Sequence, residues 1–268
     1  MSEQATQEQG GHIVRGQVHV ETADGITRIT IDDPARLGAV DAAMLTTIAD
    51  SVTATSQDPQ VRVIVLTGTG RGFCSGANLT LGDGQEIDDA TLFEAGRAVR
   101  AMTESPKAVV SLVNGVAAGV GVSLALGADY VLAKDTASFV LAFSKIALMP
   151  DGGATALVAA SIGRARAMRL ALTAEKFSAV DAAAAGLVAE VVSAEDFDAR
   201  GQEVIALLAS RAPRATELTK AAINAATLDL PAAIGREESG QSELLRSQDF
   251  REGAAAFAER RPATFRGH

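Results

Sequence analysis

The 268-residue sequence has few of the side chains on which common catalytic sites depend. It contains one cysteine and three histidines, and the histidines are His12, His19 and His268. Because the interior of the chain lacks imidazole, a Ser-His-Asp triad, a Cys-His pair and a histidine-ligated zinc or iron site are all disfavoured. The G-x-S-x-G, G-x-x-x-x-G-K-[ST] and C-x-x-C motifs are also missing. We therefore expect no metal site, and chemistry that uses carboxylates, backbone amides or a bound cofactor.

The charge and the cysteine content limit the classes of partner and the cell compartment that we expect for this protein. The chain has 24 basic and 33 acidic residues, a formal net charge of -9. This balance argues against binding nucleic acid or an anionic membrane through phosphate neutralisation. The single cysteine, Cys74, cannot form an internal disulfide, and residues 1–11 resemble no signal peptide. We therefore expect a protein of the reducing cytoplasm.

The longest uncharged run extends from Ala108 to Ala128, and by length alone it could form a transmembrane helix. However, Asn114, Gly115, Gly119 and Gly121 interrupt it. The run divides into a β-rich segment, a glycine loop and a helical segment, which is typical of an α/β core. We predict a buried strand, a tight turn and a helix, and no membrane span.

The rest of the chain predicts an α/β core followed by helices. Alternating residues flank the turn Ala23-Asp24-Gly25, which predicts a hairpin. Asp41 is predicted to cap a helix that extends to Thr55, and a second helix is predicted over residues 90–103. Short strands are predicted at 61–67, 130–133 and 138–140. Beyond Pro150 the predicted elements are helices, over residues 154–161, 164–172, 178–185, 194–210, 214–227 and 234–245.

Two glycine-rich segments, Gly72–Leu79 and Asn114–Gly121, each lie between a strand-like and a helix-like run. Free amides in such turns suit an oxyanion, although glycines there can also serve packing alone. Together with other ordered motifs they resemble the enoyl-CoA hydratase/isomerase (crotonase) superfamily, and the pattern is closest to the phenylacetate-pathway isomerase-like and enoyl-CoA isomerase branch. The other motifs are Ile29–Pro34, Leu37–Val40, Leu148–Gly153, Ser178–Ala182, Gly186–Val188 and Asp249–Arg261.

The resemblance implies a crotonase-like ββα spiral core over residues 1–200 and a C-terminal helical trimerisation region over residues 201–268. It implies a homotrimer or a hexamer built as a dimer of trimers. The implied substrate is an acyl-CoA thioester, with no cofactor beyond its CoA moiety. The backbone N–H groups of Ala77 and Val120 would hold the thioester oxygen, where preorganised donors stabilise developing negative charge.

The resemblance also implies residues that contact the CoA moiety. Arg36 could pair with CoA phosphates, but a solvated surface arginine is an equal alternative. The arginines of the tail could hold phosphate from a neighbouring subunit or form a solvated helix face. The residues implied in CoA binding are Arg36, Ala39, Gly76, Asn78, Leu79 and Gly119, and the tail arginines are Arg260, Arg261 and Arg266.

Departures from the family pattern bear on the reaction. A hydratase of this family uses two glutamates, at the positions that match Ser123 and Phe143 here. Neither residue can transfer protons near pH 7 as a carboxylate pair does, which favours isomerisation over hydration. On the residues alone, the turn Pro150-Asp151-Gly152 favours Asp151 as a helix N-cap, and its match to a catalytic aspartate of isomerase-like members reverses that preference. The alternatives are a hydratase with another acid or a water held by Ser123, and a catalytically silent acyl-CoA-binding protein.

Overall fold

Two sheets and a series of helices make up the described part of the chain, which in this computed structural model covers residues 16–78 and 89–267. The larger sheet has six strands in the order β1-β2-β3-β5-β7-β10. The antiparallel pair β1–β2 is the predicted hairpin, and its turn residues Asp24 and Gly25 have φ values of 52° and 77°. The other strands pair in parallel. The strands are β1 (Gln17–Ala23), β2 (Ile26–Asp32), β3 (Val63–Gly68), β5 (Ala108–Val113), β7 (Tyr130–Lys134) and β10 (Glu190–Val192).

A smaller sheet has four short strands in the order β4-β6-β8-β9, and its strands β4 and β6 lie within the two glycine-rich segments. The sequence predicts β8 but not the others, because segments of two or three residues show no periodicity. The uncharged run contains β5, β6 and a helix, so the prediction of a strand, a turn and a helix is confirmed with one strand added. The four strands are β4 (Gly72–Cys74), β6 (Val116–Ala118), β8 (Ser138–Val140) and β9 (Phe177–Ser178).

The helices follow the predicted order. Asp41 caps the first of them, because its side chain accepts a hydrogen bond from the Met44 N–H at 2.9 Å. Gly163, with φ 78°, kinks the long fourth helix where the sequence predicts a break. The eighth helix starts earlier than predicted, at Leu230, since Pro231 is tolerated in a first turn. The helices are α1 (Ala42–Gln57), α2 (Ala90–Glu104), α3 (Val120–Leu126), α4 (Ala154–Thr173), α5 (Ala179–Ala185), α6 (Phe197–Ala209), α7 (Pro213–Thr227), α8 (Leu230–Leu245) and α9 (Gln248–Glu259).

The packing of these helices sets up the candidate site. Every residue of α3 is buried, which places this short helix in the centre of the core. Helix α8 packs against both α2 and α4, and α9 packs against a 3-10 helix at Ala142–Ile146. Within the described ranges, no helix combines the length and the apolar character that crossing a membrane requires. The predicted division after residue 200 falls within α6 and stays a prediction.

Candidate active site

Two loops come together at the ends of the parallel strands β4 and β6. The strands pair with Cys74 opposite Ala117, so the loops that follow them run side by side. Gly76 and Gly119 have φ values of 108° and 54°, a region that favours glycine. A Cβ added to Gly119 would lie 3.6 Å from the Gly76 Cα, and one added to Gly76 would lie 3.1 Å from the Ala118 carbonyl oxygen. The two backbones are therefore in direct contact.

The backbone N–H groups of Ala77 and Val120, the predicted oxyanion donors, lie at the ends of these loops. Val40 forms a parallel bridge with Ala77, in which the Val40 N–H donates to Gly76 and the Asn78 N–H donates to Val40. These two hydrogen bonds use the carbonyl oxygen of Gly76 and the N–H of Asn78, on either side of Ala77. The N–H of Ala77 is therefore directed away from Val40. Val120 is the first residue of α3, where an N–H has no partner within its helix. Neither N–H donates to another described residue, so both can serve as oxyanion donors.

Ser123 and Phe143, which replace the glutamates of a hydratase, both lie beside these loops. Ser123 is fully buried on α3, one turn after Val120. Its hydroxyl donates a hydrogen bond to the backbone oxygen of Asp151 at 2.7 Å. The Phe143 ring approaches to within 3.9 Å of the position that a Cβ on Gly119 would take. The structure thus brings the predicted positions together, and neither supplies a carboxylate.

Asp151 supplies the carboxyl group of this region. It is only 8% exposed, and its Oδ2 accepts a hydrogen bond from the Gln241 side-chain amide at 3.1 Å. Its Oδ1 is buried and has no hydrogen-bond partner among the described residues. Burial, followed by the negative charge of Glu237, raises the pKa of Asp151 to about 7. A buried carboxyl with one unpartnered oxygen and a pKa near neutrality is suited to accept and return a proton.

The alternative of Asp151 as a helix cap is wrong. Its backbone oxygen accepts from the Ala154 N–H at 3.1 Å, but its carboxylate does not bond to the first turn of α4. The cap comes instead from α8, where the Glu237 carboxylate accepts from the N–H groups of Gly153 and Thr155 and from the Thr155 hydroxyl. Sequence reasoning missed Glu237 and Gln241, because nothing in the local pattern indicates which distant residues a buried turn will meet.

The residues predicted to contact CoA cluster only in part. Four of them lie in or beside the two loops, and the bridge between Val40 and Ala77 brings the first of these beside the loop. The four are Ala39, Gly76, Asn78 and Gly119. Leu79 lies outside the described residues, and the role of the whole set in CoA binding stays a prediction.

Two of the predicted arginines, Arg36 and Arg261, form ion pairs with carboxylates. The Arg36 guanidinium is paired with buried Asp33 at 2.6 Å, and the Ser75 hydroxyl donates to the Arg36 carbonyl oxygen at 2.6 Å. In the tail, Arg261 is paired with Glu252 and Glu259. These pairs favour a structural interpretation of Arg261, while Arg36 is held next to the Gly72–Leu79 segment by its contact with Ser75.

Two further residues have structural roles, in agreement with the sequence. Asp129 accepts a hydrogen bond from the Val109 N–H at 2.8 Å and forms an ion pair at 2.9 Å with Lys220, whose side chain is buried. Cys74 is fully buried, and burial raises the pKa of its thiol to about 12. A thiol with such a pKa is a poor nucleophile at neutral pH.

Residues 21–268 match the family described as Enoyl-CoA hydratase/isomerase. The chain belongs to this family, which identifies it as an enzyme of acyl-CoA metabolism with the crotonase-like α/β fold. The match includes both loops, Asp151 and the C-terminal helices.

Among curated proteins, the chain is 40% identical over 253 residues to a probable enoyl-CoA hydratase of Rhodobacter capsulatus, covering 93% of this chain and 98% of that protein. It is 38% identical over 264 residues to the 1,2-epoxyphenylacetyl-CoA isomerase of Escherichia coli, covering 93% and 97%. Among solved structures, an enoyl-CoA hydratase from Mycobacterium avium subsp. paratuberculosis is 48% identical, with a TM-score of 0.88 over 93% of this chain and 98% of that one. These names include both hydratases and an isomerase.

Proposed function

We propose that the protein is an acyl-CoA isomerase that moves a double bond from the 3-position to the 2-position of an enoyl-CoA, or performs a related ring rearrangement. The observation that carries this proposal is Asp151, a buried carboxyl with an unpartnered oxygen, whose backbone oxygen contacts Ser123 at one of the two positions where a hydratase has glutamates. The similarity to a 1,2-epoxyphenylacetyl-CoA isomerase supports the same class of chemistry.

The proposed reaction has two proton transfers. Asp151 removes a proton from the carbon next to the thioester, and the C–H electrons move through the carbonyl to give a dienolate. The N–H groups of Ala77 and Val120 donate to the enolate oxygen, which carries more charge in the transition state than in the substrate. The same carboxyl then returns the proton two carbons along, and the thioester carbonyl forms again. A pKa of about 7 suits both steps, because the group is neither too weak a base nor too weak an acid.

Hydration is the competing proposal, because relatives named as hydratases share 40% and 48% identity with the chain. Hydration requires a group that activates water. Ser123 donates its hydroxyl proton to the backbone oxygen of Asp151, and a hydroxyl group cannot deprotonate a water molecule near pH 7 as a carboxylate can. A silent acyl-CoA-binding protein is the third candidate.

Turnover of a panel of 3-enoyl-CoA and 2-enoyl-CoA esters by the wild type and by Asp151→Asn tests the proposal. Asparagine keeps the shape of the side chain but cannot accept a proton, so isomerase turnover should fall by at least about a hundredfold. The variant should still bind acyl-CoA in calorimetry. Asp181→Asn, at an exposed side chain in the first turn of α5, is the matched control and should keep full activity. Full activity of Asp151→Asn, or faster hydration of crotonyl-CoA than isomerisation, would refute the isomerase, and binding without product would indicate the silent protein.

We also propose that the protein assembles as a trimer or as a dimer of trimers, and that it resides in the cytoplasm. Large apolar side chains on the C-terminal helices support assembly, since Leu218 and Ile223 on α7 and Phe257 on α9 are 52%, 57% and 70% exposed. A monomer mass in light scattering at micromolar concentration would contradict the assembly. Recovery of the native protein in a membrane or extracellular fraction would contradict the location.

A further inference from the structure

Helix α8 directs two buried polar side chains toward Asp151. Glu237 and Gln241 are four residues apart, so they lie on the same face of the helix. They are 1% and 2% exposed, which is unusual for side chains of this polarity. Helix α8 therefore contributes more than apolar packing to the candidate site.

The Gln241 amide is held in one orientation by a second contact. Its Oε1 accepts a hydrogen bond from the Met149 N–H at 3.0 Å, and its Nε2 donates to Asp151 Oδ2 at 3.1 Å. Because a backbone N–H can only donate, the amide oxygen must face Met149 and the amide nitrogen must face Asp151. Oδ2 of Asp151 is thus occupied by a donor, and Oδ1 is the oxygen on which a proton can reside.

Glu237 is held just as firmly. Its carboxylate accepts from two backbone N–H groups and one hydroxyl at the start of α4, which fixes its distance from the neighbouring turn that contains Asp151. Among the described residues, Glu237 is the charged side chain that acts on the Asp151 carboxyl; helix α3 presents only the hydroxyl of Ser123, which bonds to the backbone of Asp151. The two α8 side chains act with opposite sign, since the Glu237 charge opposes ionisation and the Gln241 donor favours it.

We propose that Gln241 and Glu237 are positioning residues that hold the Asp151 carboxyl so that Oδ1 alone faces the acyl chain and carries out both proton transfers. This inference rests on the proposed function, in which Asp151 is the base. Gln241 fixes the rotation of the carboxyl, and Glu237 fixes the turn on which the carboxyl is mounted.

The opposite signs of the two contacts provide the test. The variants Gln241→Met and Glu237→Gln keep the approximate volume of each side chain while removing the donor and the charge. Loss of the Gln241 donor should move the acidic limb of the kcat profile to higher pH by at least about half a pH unit. Loss of the Glu237 charge should move it to lower pH by a similar amount. In both variants kcat should change more than KM, because neither side chain is among the residues predicted to contact CoA.

Glu238→Gln is the control on the same helix, since Glu238 contacts Arg100 at 3.5 Å and makes no contact with Asp151. Its pH profile should match that of the wild type. The Asp151 carboxyl carbon should also be titrated by NMR in each unliganded protein, with Asp151→Asn used to assign the signal. The midpoint should rise in Gln241→Met and fall in Glu237→Gln.

Unchanged midpoints, or shifts of both variants in the same direction, would overturn the inference. If one variant fails to fold, the predicted direction in the other still decides. If the NMR midpoints shift as expected while Asp151→Asn keeps full turnover, the proposed base is refuted and the contact geometry stands. If Asp151→Asn is inactive and the midpoints do not move, the proposed function stands and the positioning role fails.

Discussion

Replacing Asp151 by asparagine should change how the stability of the protein depends on pH. The carboxyl is 8% exposed, and its pKa in the folded protein is about 7, against 3.8 for the ordinary group. Between these two values the folded chain keeps a proton that the unfolded chain releases. Stability that this group contributes below pH 3.8 is therefore lost as the pH rises through 7.

The size of the effect follows from the difference between the two pKa values. One pH unit corresponds to about 1.4 kcal/mol, so a difference of about three units costs the wild type about 4 kcal/mol above neutrality. Asparagine does not ionise and avoids this loss. We expect the free energy of unfolding of Asp151→Asn, relative to the wild type, to increase by about 4 kcal/mol between pH 4 and pH 8. This difference between the two proteins includes the repulsion between the Asp151 and Glu237 carboxylates, which the variant lacks.

Urea unfolding at several pH values, followed by far-ultraviolet circular dichroism, measures this difference. Both proteins must be compared at one protein concentration, since assembly is linked to folding. Asp41→Asn is the matched control, because asparagine replaces aspartate at a helix N-cap with little loss and no deeply buried charge is removed. A difference between Asp151→Asn and the wild type that stays within about 1 kcal/mol from pH 4 to pH 8 would show that the carboxyl is not desolvated as described.

Three further outcomes follow from the packing. Gly121→Ala should destabilise the fold by more than about 2 kcal/mol in urea unfolding, because the added Cβ would overlap the carbonyl oxygen of Cys74. Gly235 is an exposed site on α8 where an added Cβ meets nothing within 4 Å, so Gly235→Ala should stabilise the fold by about 0.5–1 kcal/mol. Lys220→Met should cost about 1–3 kcal/mol, because the carbonyl oxygens of Met102 and Lys107 lose their donor and Asp129 loses its ion pair, and adding Asp129→Asn should restore part of that stability. Cys74 should resist a thiol reagent at pH 7 until denaturant is added, and rapid labelling of the native protein would contradict its burial.

Local signals in the sequence account well for the framework. The Asp24-Gly25 turn, the Asp41 cap and the glycine breaks in the uncharged run each have a physical cause within a few residues, and each appears in the structure. Short strands such as β6 and β9 depend on neighbours that are distant in sequence, so their pairing leaves no local pattern. Helix α9 was not predicted either, although Ser247 accepts from the Phe250 N–H as a standard N-cap.

Sequence motifs likewise identify one part of the candidate site and miss another part. The two loops and Asp151 could be found from motifs, because their residues are consecutive in the chain. The environment of Asp151 could not be found, since Gln241 is 90 positions away. A turn such as Pro-Asp-Gly-Gly predicts a cap by local statistics, and the cap from Glu237 overrides that expectation only once tertiary structure has formed.

The cap that Glu237 provides has a consequence for the order of folding. Gly153, whose N–H it accepts, precedes it by 84 positions, so the ribosome completes all of α4 well before the cap of that helix exists. A contact with such a large sequence separation forms late, because the entropy of closing the intervening loop must be overcome first. The start of α4 and the adjacent carboxyl thus reach their final arrangement only when α8 docks. A nascent chain that ends before α8 can contain both glycine-rich loops and Asp151 and still lack the contacts that hold the Asp151 carboxyl, so the proposed activity would begin only when the fold is complete.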